Sequence, residues 1–235
     1  MDITPNIKLV VLDTGGTTVR DDDVSLTAFV EALAAYGAGP DVPGFEDRLT
    51  FVRRTMGRAR IDVFRVLLGH ESRAQAAHQV FEAAIESAVA QGGVEPIPGA
   101  RGAIEQLREA GIAVCLATGY SQRTLDRIVD GIGWRDLVDG ALAPGQGRRG
   151  RPHPDLILSA VMEFGIDSVA AVAVAGDSVS DLLAGQRAGA SIVAGVLTGI
   201  HDREDLARAP HTHLVKGVWD LPGLVLRDAA PLTAA

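Results

Sequence analysis

Lysine is almost missing from this chain: of its 22 basic residues only Lys8 and Lys216 are lysines, and the rest are arginines. No side-chain amine between those two positions can form an imine, which removes Schiff-base chemistry from the interior of the sequence. Cysteine is scarcer still. Cys115 alone excludes an intramolecular disulfide and a Cys-rich zinc site, and its place in the apolar run Ile112 to Ala117 marks it as a small buried hydrophobe. Excess positive charge is lacking too: the formal net charge is −8 and the isoelectric point near 5.2, which argues against a nucleic-acid partner. The apolar run Val169 to Ala175 is too short to span a bilayer, and the opening residues carry no secretory leader. The expectation is a cytoplasmic protein without a membrane or nucleic-acid partner.

What is present is the balance of a folded protein. Hydrophobic residues make up 47% and charged residues 22%, so disorder is not the description. A chain of 235 residues holds one large domain or a domain with an inserted unit. After residue 99, short apolar β-branched runs alternate with longer amphipathic stretches, the pattern of a parallel sheet flanked by helices. The expected strands are Lys8 to Leu12, Ala113 to Ala117, Ala170 to Ala175 and Ile192 to Val196, with weaker signals at Leu137 to Ala141 and His213 to Val215. Helices are expected at Ala100 to Ala110, Ser121 to Ile132, Pro154 to Phe164, Val179 to Ala188 and Arg203 to Ala209.

Residues 24 to 92 read differently. Ser25 is expected to cap a helix carrying Leu26, Phe29, Val30 and Leu33, stopped by Gly37. Two further helices are expected at Ala59 to Leu68 and Ser72 to Ala90, with no strand between them. The reading is a helical cap domain at 21–96, inserted into a core formed by 1–20 and 97–235. Arg20 to Asp23 is the outgoing hinge, and Gly92-Gly93 with Pro96 to Gly99 the return. The tail after Ala229 is expected to fray.

Four motifs carry chemistry, each beside the end of an expected strand. The first is Asp13-Thr14-Gly15-Gly16-Thr17, a carboxylate where open α/β sheets bind ligands. The others are Thr118-Gly119, Gly150-Arg151-Pro152-His153-Pro154, and Gly176-Asp177-Ser178-Val179-Ser180-Asp181. Together they supply a carboxylate nucleophile, a hydroxyl donor, a fixed cation and an acidic cluster for a hard metal ion. Phosphoryl transfer needs that inventory: Mg²⁺ takes oxygen ligands and polarises the phosphoryl oxygen, and arginine matches phosphate geometry. Blander readings stay open. Asp177 and Asp181 could only cap a helix, Gly15 and Gly16 only form a turn, and Arg151 be a surface charge. The histidines show no ligand spacing.

Taken in order, with a helical insert after the first, these motifs closely resemble the haloacid dehalogenase-like hydrolase superfamily over nearly the whole chain. The resemblance implies a Rossmann-like, doubly wound α/β core with a mobile helical cap, and Asp13 as a nucleophile that forms an aspartyl-phosphate. It also implies Mg²⁺ held by Asp13, the Gly15 carbonyl and Asp177, with Asp181 binding metal-bound water or standing behind. Thr118 and Arg151 would hold the transferring group. Gly16, Thr17 and Gly119, with Gly57 and Arg60 from the cap, would contact a small phosphorylated or phosphonate substrate. Cap helices can also mediate a homodimer.

The match breaks at one point. Phosphatases of this superfamily carry a second Asp two residues after the nucleophile, a general acid worth roughly 10²- to 10⁴-fold, and this chain has Gly15 there. The phosphonoacetaldehyde hydrolase branch also lacks that acid and has Gly-Thr-Thr next, as in Gly16-Thr17-Thr18. Its cap motif Met-Gly-x-x-Lys-Ile-Asp is matched by Met56-Gly57-Arg58-Ala59-Arg60-Ile61-Asp62, except that Arg60 replaces the Schiff-base lysine and cannot form an imine. The preferred reading is a phosphonatase-like Mg²⁺ hydrolase in which Arg60 binds a substrate anion; for Arg60 the alternative is a plain surface ion. Also open are a catalytically impaired paralogue that binds phosphate and metal, a phosphonoacetaldehyde hydrolase proper, and a 2-haloacid dehalogenase. Asp177 counts against the last, since that reaction does not need a carboxylate where a magnesium ligand would sit.

Overall fold

The computed structural model describes residues 6–226, so the tail after Ala229 lies outside the described residues. The chain opens with strand β1 (Leu9–Asp13), buried along its whole length. It continues through β2 (Val19–Arg20) into four helices: α1 (Asp22–Ala35), α2 (Phe45–Arg54), α3 (Arg60–Leu68) and α4 (Glu71–Ala90). It returns by β3 (Glu95–Pro96), then alternates through α5 (Ala100–Glu109), β4 (Ala113–Ala117), α6 (Gln122–Gly131), β5 (Gly140–Leu142) and α7 (Asp155–Glu163). The last third is β6 (Val172–Gly176), α8 (Val179–Ala188), β7 (Ile192–Val196), α9 (Arg203–Arg208), β8 (His213–Val215) and α10 (Leu221–Val225).

Six strands form one sheet in the order β5-β4-β1-β6-β7-β8, and every pair in it is parallel. This is the doubly wound, Rossmann-like α/β core. The chain winds outward from β1 to β4 and β5, then crosses to β6 on the other side, so the order reverses beside β1. Ligands bind at such a switch point, outside the carboxyl ends of the strands. Alternation along the central strands divides the core into two layers. Val10, Leu12, Val114 and Leu116 face the cluster that contains the inserted helices. Leu9, Val11, Cys115 and Ala117 face α7 and α8. Cys115 is fully buried, and burial pushes its thiol up to about 12, consistent with a small hydrophobe.

The inserted helices pack around Phe29, Phe64 and Phe81, with centroids 4.6 Å apart for Phe29–Phe81 and 5.0 Å for Phe29–Phe64. Phe81 also stacks on Tyr120 at 5.9 Å, joining the insert to the end of β4. Three details differ from the sequence reading. Helix α1 starts at Asp22 with Asp21 as its N-cap residue, so Ser25 lies inside the first turn rather than capping it. Helix α2 was not expected; it buries only Phe45, Leu49 and Val52. The connections expected as hinges pair as a short antiparallel ribbon, Val19 with Pro96 and Arg20 with Glu95.

Candidate active site

The carboxyl ends of β1, β4 and β6 bring Asp13, Thr118 and Asp177 together. Asp13 pairs in register with Ala117, and Leu12 with Ala175, so the loops that follow all leave from one sheet edge. The turn after β1 is tied down by hydroxyls: Thr18 Oγ1 donates to the Asp13 and Thr14 carbonyls at 3.0 and 3.1 Å, and Thr14 Oγ1 donates to the Ala117 carbonyl at 3.0 Å. Asp13 is thereby held on a rigid strand end, 5% exposed.

Three carboxylates converge there. Oxygens of Asp13, Asp177 and Asp181 lie within 4.8 Å of one another, all buried. Arg151 Nη1 donates to both Asp13 and Asp181. Asp181 also completes a capping box on α8, its second oxygen accepting from Ser178 N at 3.0 Å; it both caps the helix and pairs with Arg151. Asp177 Oδ2 accepts from Ile200 N at 2.8 Å, and Thr17 Oγ1 reaches Asp177 Oδ1 at 3.4 Å. Gly16 passes beneath this carboxylate at φ +75°, where a Cβ would meet Asp177 Oδ2 at 2.5 Å.

The charges do not balance within the cluster. Burial, then the neighbouring Asp13 and Asp181, drives the Asp177 carboxyl well above the usual carboxylate range. Burial likewise pushes Asp181 up to about 6, with Arg151 opposing and Asp13 adding to the shift. Burial disfavours the Arg151 charge, but Asp13 and Asp181 outweigh it and raise its pKa. A buried all-oxygen cluster with more negative than positive charge suits a hard divalent cation. Asp13, Asp177 and Asp181 are therefore able to hold a metal.

The insert closes over this edge. Asp13, Gly15, Thr118, Arg151 and Asp177 share one cavity of about 20 Å³ with Asp21, Met56, Gly57 and Arg60. Gly57, at φ +85°, lies so near the core that a Cβ would come 2.2 Å from Ser178 Oγ. Arg60 N donates to the Gly119 carbonyl at 2.9 Å. Arg60 is 6% exposed, so it is no surface ion; its guanidinium stands 4.9 Å above the Tyr120 ring. Arg60 Nε and Arg151 Nε are both buried without a hydrogen-bond partner, on the wall of the same cavity.

Of the residues singled out from sequence, Asp13, Gly15, Gly57, Arg60, Thr118, Arg151 and Asp177 meet on that wall. Gly16, Thr17, Gly119 and Asp181 stand behind it, bonded to or packed against its members. Sequence reasoning missed Asp21 as a site residue, reading it as hinge. The sequence held no signal for it, since Asp21 is the first of three consecutive aspartates, Asp21 to Asp23, and only the structure shows that it is buried. Tyr120 Oη donates to Asp21 Oδ2, and that contact spans the insert and the core. Among the histidines, His201 is buried and its Nδ1 accepts from Val179 N at 3.3 Å, a structural role.

Comparison with known proteins places this geometry. The haloacid dehalogenase-like hydrolase family profile matches residues 7–189. The chain is 28% identical over 218 residues to the phosphonoacetaldehyde hydrolase of Pseudomonas putida, covering 83% of this chain and 74% of that one. It is also 28% identical over 205 residues to the "Probable phosphatase IndB" of Dickeya dadantii, covering 86% of each. Among solved structures, a phosphonoacetaldehyde hydrolase-like protein from Oleispira antarctica superposes with a TM-score of 0.80 at 21% identity, covering 96% of this chain and 94% of that one. In the described residues no helix is long and apolar enough to cross a membrane. With the family profile spanning most of the chain and the sheet edge built as above, the protein belongs to the haloacid dehalogenase-like hydrolases.

Proposed function

We propose that this hydrolase cleaves a small phosphorylated or phosphonate substrate, with Asp13 accepting the phosphoryl group and Mg²⁺ as the metal. The observation that carries the reading is the buried meeting of Asp13 with Arg151, Asp177 and Asp181 at the switch point of the sheet. Asp13, the Gly15 carbonyl and Asp177 would hold the ion, with Asp181 behind them. Bound there, Mg²⁺ would neutralise the excess carboxylate charge and polarise the phosphoryl oxygen. Arg151 and Thr118 would orient the transferring group, as the fork geometry of a guanidinium suits phosphate. Asp13 would attack phosphorus, and water would release phosphate from the resulting acyl phosphate.

Residues 21–96 act in this proposal as a cap. A cavity of about 20 Å³ has room for little more than a water molecule, so the insert must swing away from Gly119 and Ser178 to admit substrate. Arg60 would then close over the substrate with a fixed positive charge. A phosphonoacetaldehyde hydrolase that works through an imine is disfavoured, because a guanidinium cannot take the place of an amine. The test is to mix the protein with a phosphate ester and Mg²⁺ and look for acid-stable, hydroxylamine-sensitive phosphate on Asp13. A labelled Asp13 and turnover abolished by EDTA support the proposal. Turnover that EDTA leaves intact, or hydrolysis with no label in a quenched-flow experiment, overturns it.

A further inference from the structure

We propose that Asp21 is the general acid and base of this site, supplying through space the carboxyl group that residue 15 lacks. The inference rests on the reading that Asp13 accepts a phosphoryl group. A Cβ built on Gly15 would lie 2.5 Å from both carboxyl oxygens of Asp21 and 2.8 Å from its Cγ. The Asp21 carboxyl thus fills the volume in which a side chain on residue 15 would begin. It faces the same cavity as Asp13, Thr118 and Arg151 and is 3% exposed.

Its position is held from several sides. Asp21 follows the β2–β3 ribbon, and its carbonyl accepts from Ser25 N at 2.7 Å at the start of α1. Its side chain makes no capping bond to that helix, although Asp is among the residues that favour this role. It receives the Tyr120 hydroxyl instead. Burial, and next the Asp21 charge, raise the Tyr120 pKa well above its usual value, so Tyr120 stays a donor. Tyr120 is itself clamped by Phe81 and by the Arg60 guanidinium. Asp21 also borders a cleft of about 560 Å³ beside Arg20, Gly93 and Glu95.

The chemistry balances with these groups. As an Asp13 oxygen bonds to phosphorus, the bond from phosphorus to the leaving oxygen breaks, and that oxygen takes the electron pair and the proton of the Asp21 carboxyl. In the second half, a water oxygen bonds to phosphorus, its proton passes to the Asp21 carboxylate, and the bond from phosphorus to Asp13 breaks. Ester and water become alcohol and phosphate, and both aspartates return to their starting states.

The test compares leaving groups. Ethyl phosphate needs a proton on its departing oxygen; p-nitrophenyl phosphate does not. With Asp21→Asn, which keeps size and can still accept from Tyr120, kcat for ethyl phosphate is expected to fall roughly 10²- to 10⁴-fold, and kcat for p-nitrophenyl phosphate by less than about tenfold. Moving the acid back, with Gly15→Asp combined with Asp21→Gly, should raise ethyl phosphate turnover at least about tenfold above Asp21→Asn. Equal losses on both esters would mean a structural role and overturn the inference, as would no loss on either. Wild-type turnover that disappears in Asp13→Asn secures the phosphoryl-transfer reading separately; a wild type inactive on both esters overturns that reading and the acid assignment with it.

Discussion

Replacing Asp13 by Asn should separate catalysis from stability. Breaking a buried ion pair by removing one partner ordinarily costs roughly 3–5 kcal/mol, because the remaining charge is left uncompensated. Arg151 escapes that penalty here, since the same Nη1 also pairs with Asp181. The substitution also removes the charge that, after burial, does most to raise the Asp177 pKa. Two formal carboxylates then face one guanidinium instead of three. The expected stability change is within about 1 kcal/mol of wild type, or roughly 2–4 °C in Tm for a chain of this size. An amide cannot serve as the nucleophile, so kcat on p-nitrophenyl phosphate should drop at least about a thousandfold. Thermal unfolding in EDTA, run beside turnover in Mg²⁺, reads both. A variant that keeps a tenth of wild-type turnover refutes the role of Asp13, and a loss above about 3 kcal/mol refutes the charge accounting.

Four further outcomes are expected. Mg²⁺ at a hundred times its Kd should stabilise the protein by about 2.7 kcal/mol, with no such shift in Asp177→Ala; equal shifts in both proteins would place the ion elsewhere. Gly57→Ala puts a Cβ 2.2 Å from Ser178 Oγ at φ +85°, so kcat/KM should fall at least about tenfold with about 1–2 kcal/mol of backbone strain; wild-type kcat/KM would show that the loop need not approach so closely. Glu82 on α4 accepts from Ser121 and Thr124 at the start of α6 and pairs with His78 at 3.1 Å; burial opposes its charge, yet these bonds hold its carboxyl below the ordinary 4.5. The folded pKa is depressed, so this stabilisation is present above pH 4.5 and is lost as the pH falls through the folded value; Glu82→Gln should cost about 1–3 kcal/mol at neutral pH, a gap that closes in acid, and a pH-independent gap in urea titrations would contradict it. Arg60→Lys, treated with phosphonoacetaldehyde and borohydride, should give no reduced adduct at neutral pH, because the Tyr120 face on which the Arg60 cation rests favours an ammonium over a free amine; a stoichiometric adduct would contradict this.

Much of the core was legible because parallel strands covered on both faces are continuous apolar runs. β4 and β7 fall on their expected residues, and β1 and β6 lie within two residues of them. The ribbon was not legible: two-residue strands have no periodicity, and Val19 meets Pro96 only because four helices return the chain to its starting point. Helix α2 escaped because only Phe45, Leu49 and Val52 are buried. Its terminal charges, Glu46 and Asp47 at the start and Arg53 and Arg54 at the end, suit the helix dipole and were the usable signal. The motifs at strand ends were legible because one sheet edge collects them whatever the loop lengths between them.

Gly15 shows why the rest of the site was harder. A missing side chain is visible in a motif, but what fills its space is decided by packing between distant segments. Tyr120 makes the connection here: its hydroxyl donates to Asp21, its ring carries Arg60, and the ring also stacks on Phe81. Those partners lie in three different parts of the insert, and none is spaced from Tyr120 in a way that a sequence pattern records. The same ring therefore ties two departures together. Arg60 is buried against the face of this ring, and Asp21, which accepts from the hydroxyl of the same ring, lines the same cavity. The loss of the acid at position 15 and the presence of Arg60 are thus parts of one packed arrangement, in which the carboxylate reaches the reaction centre from the first turn of the insert rather than from the strand end.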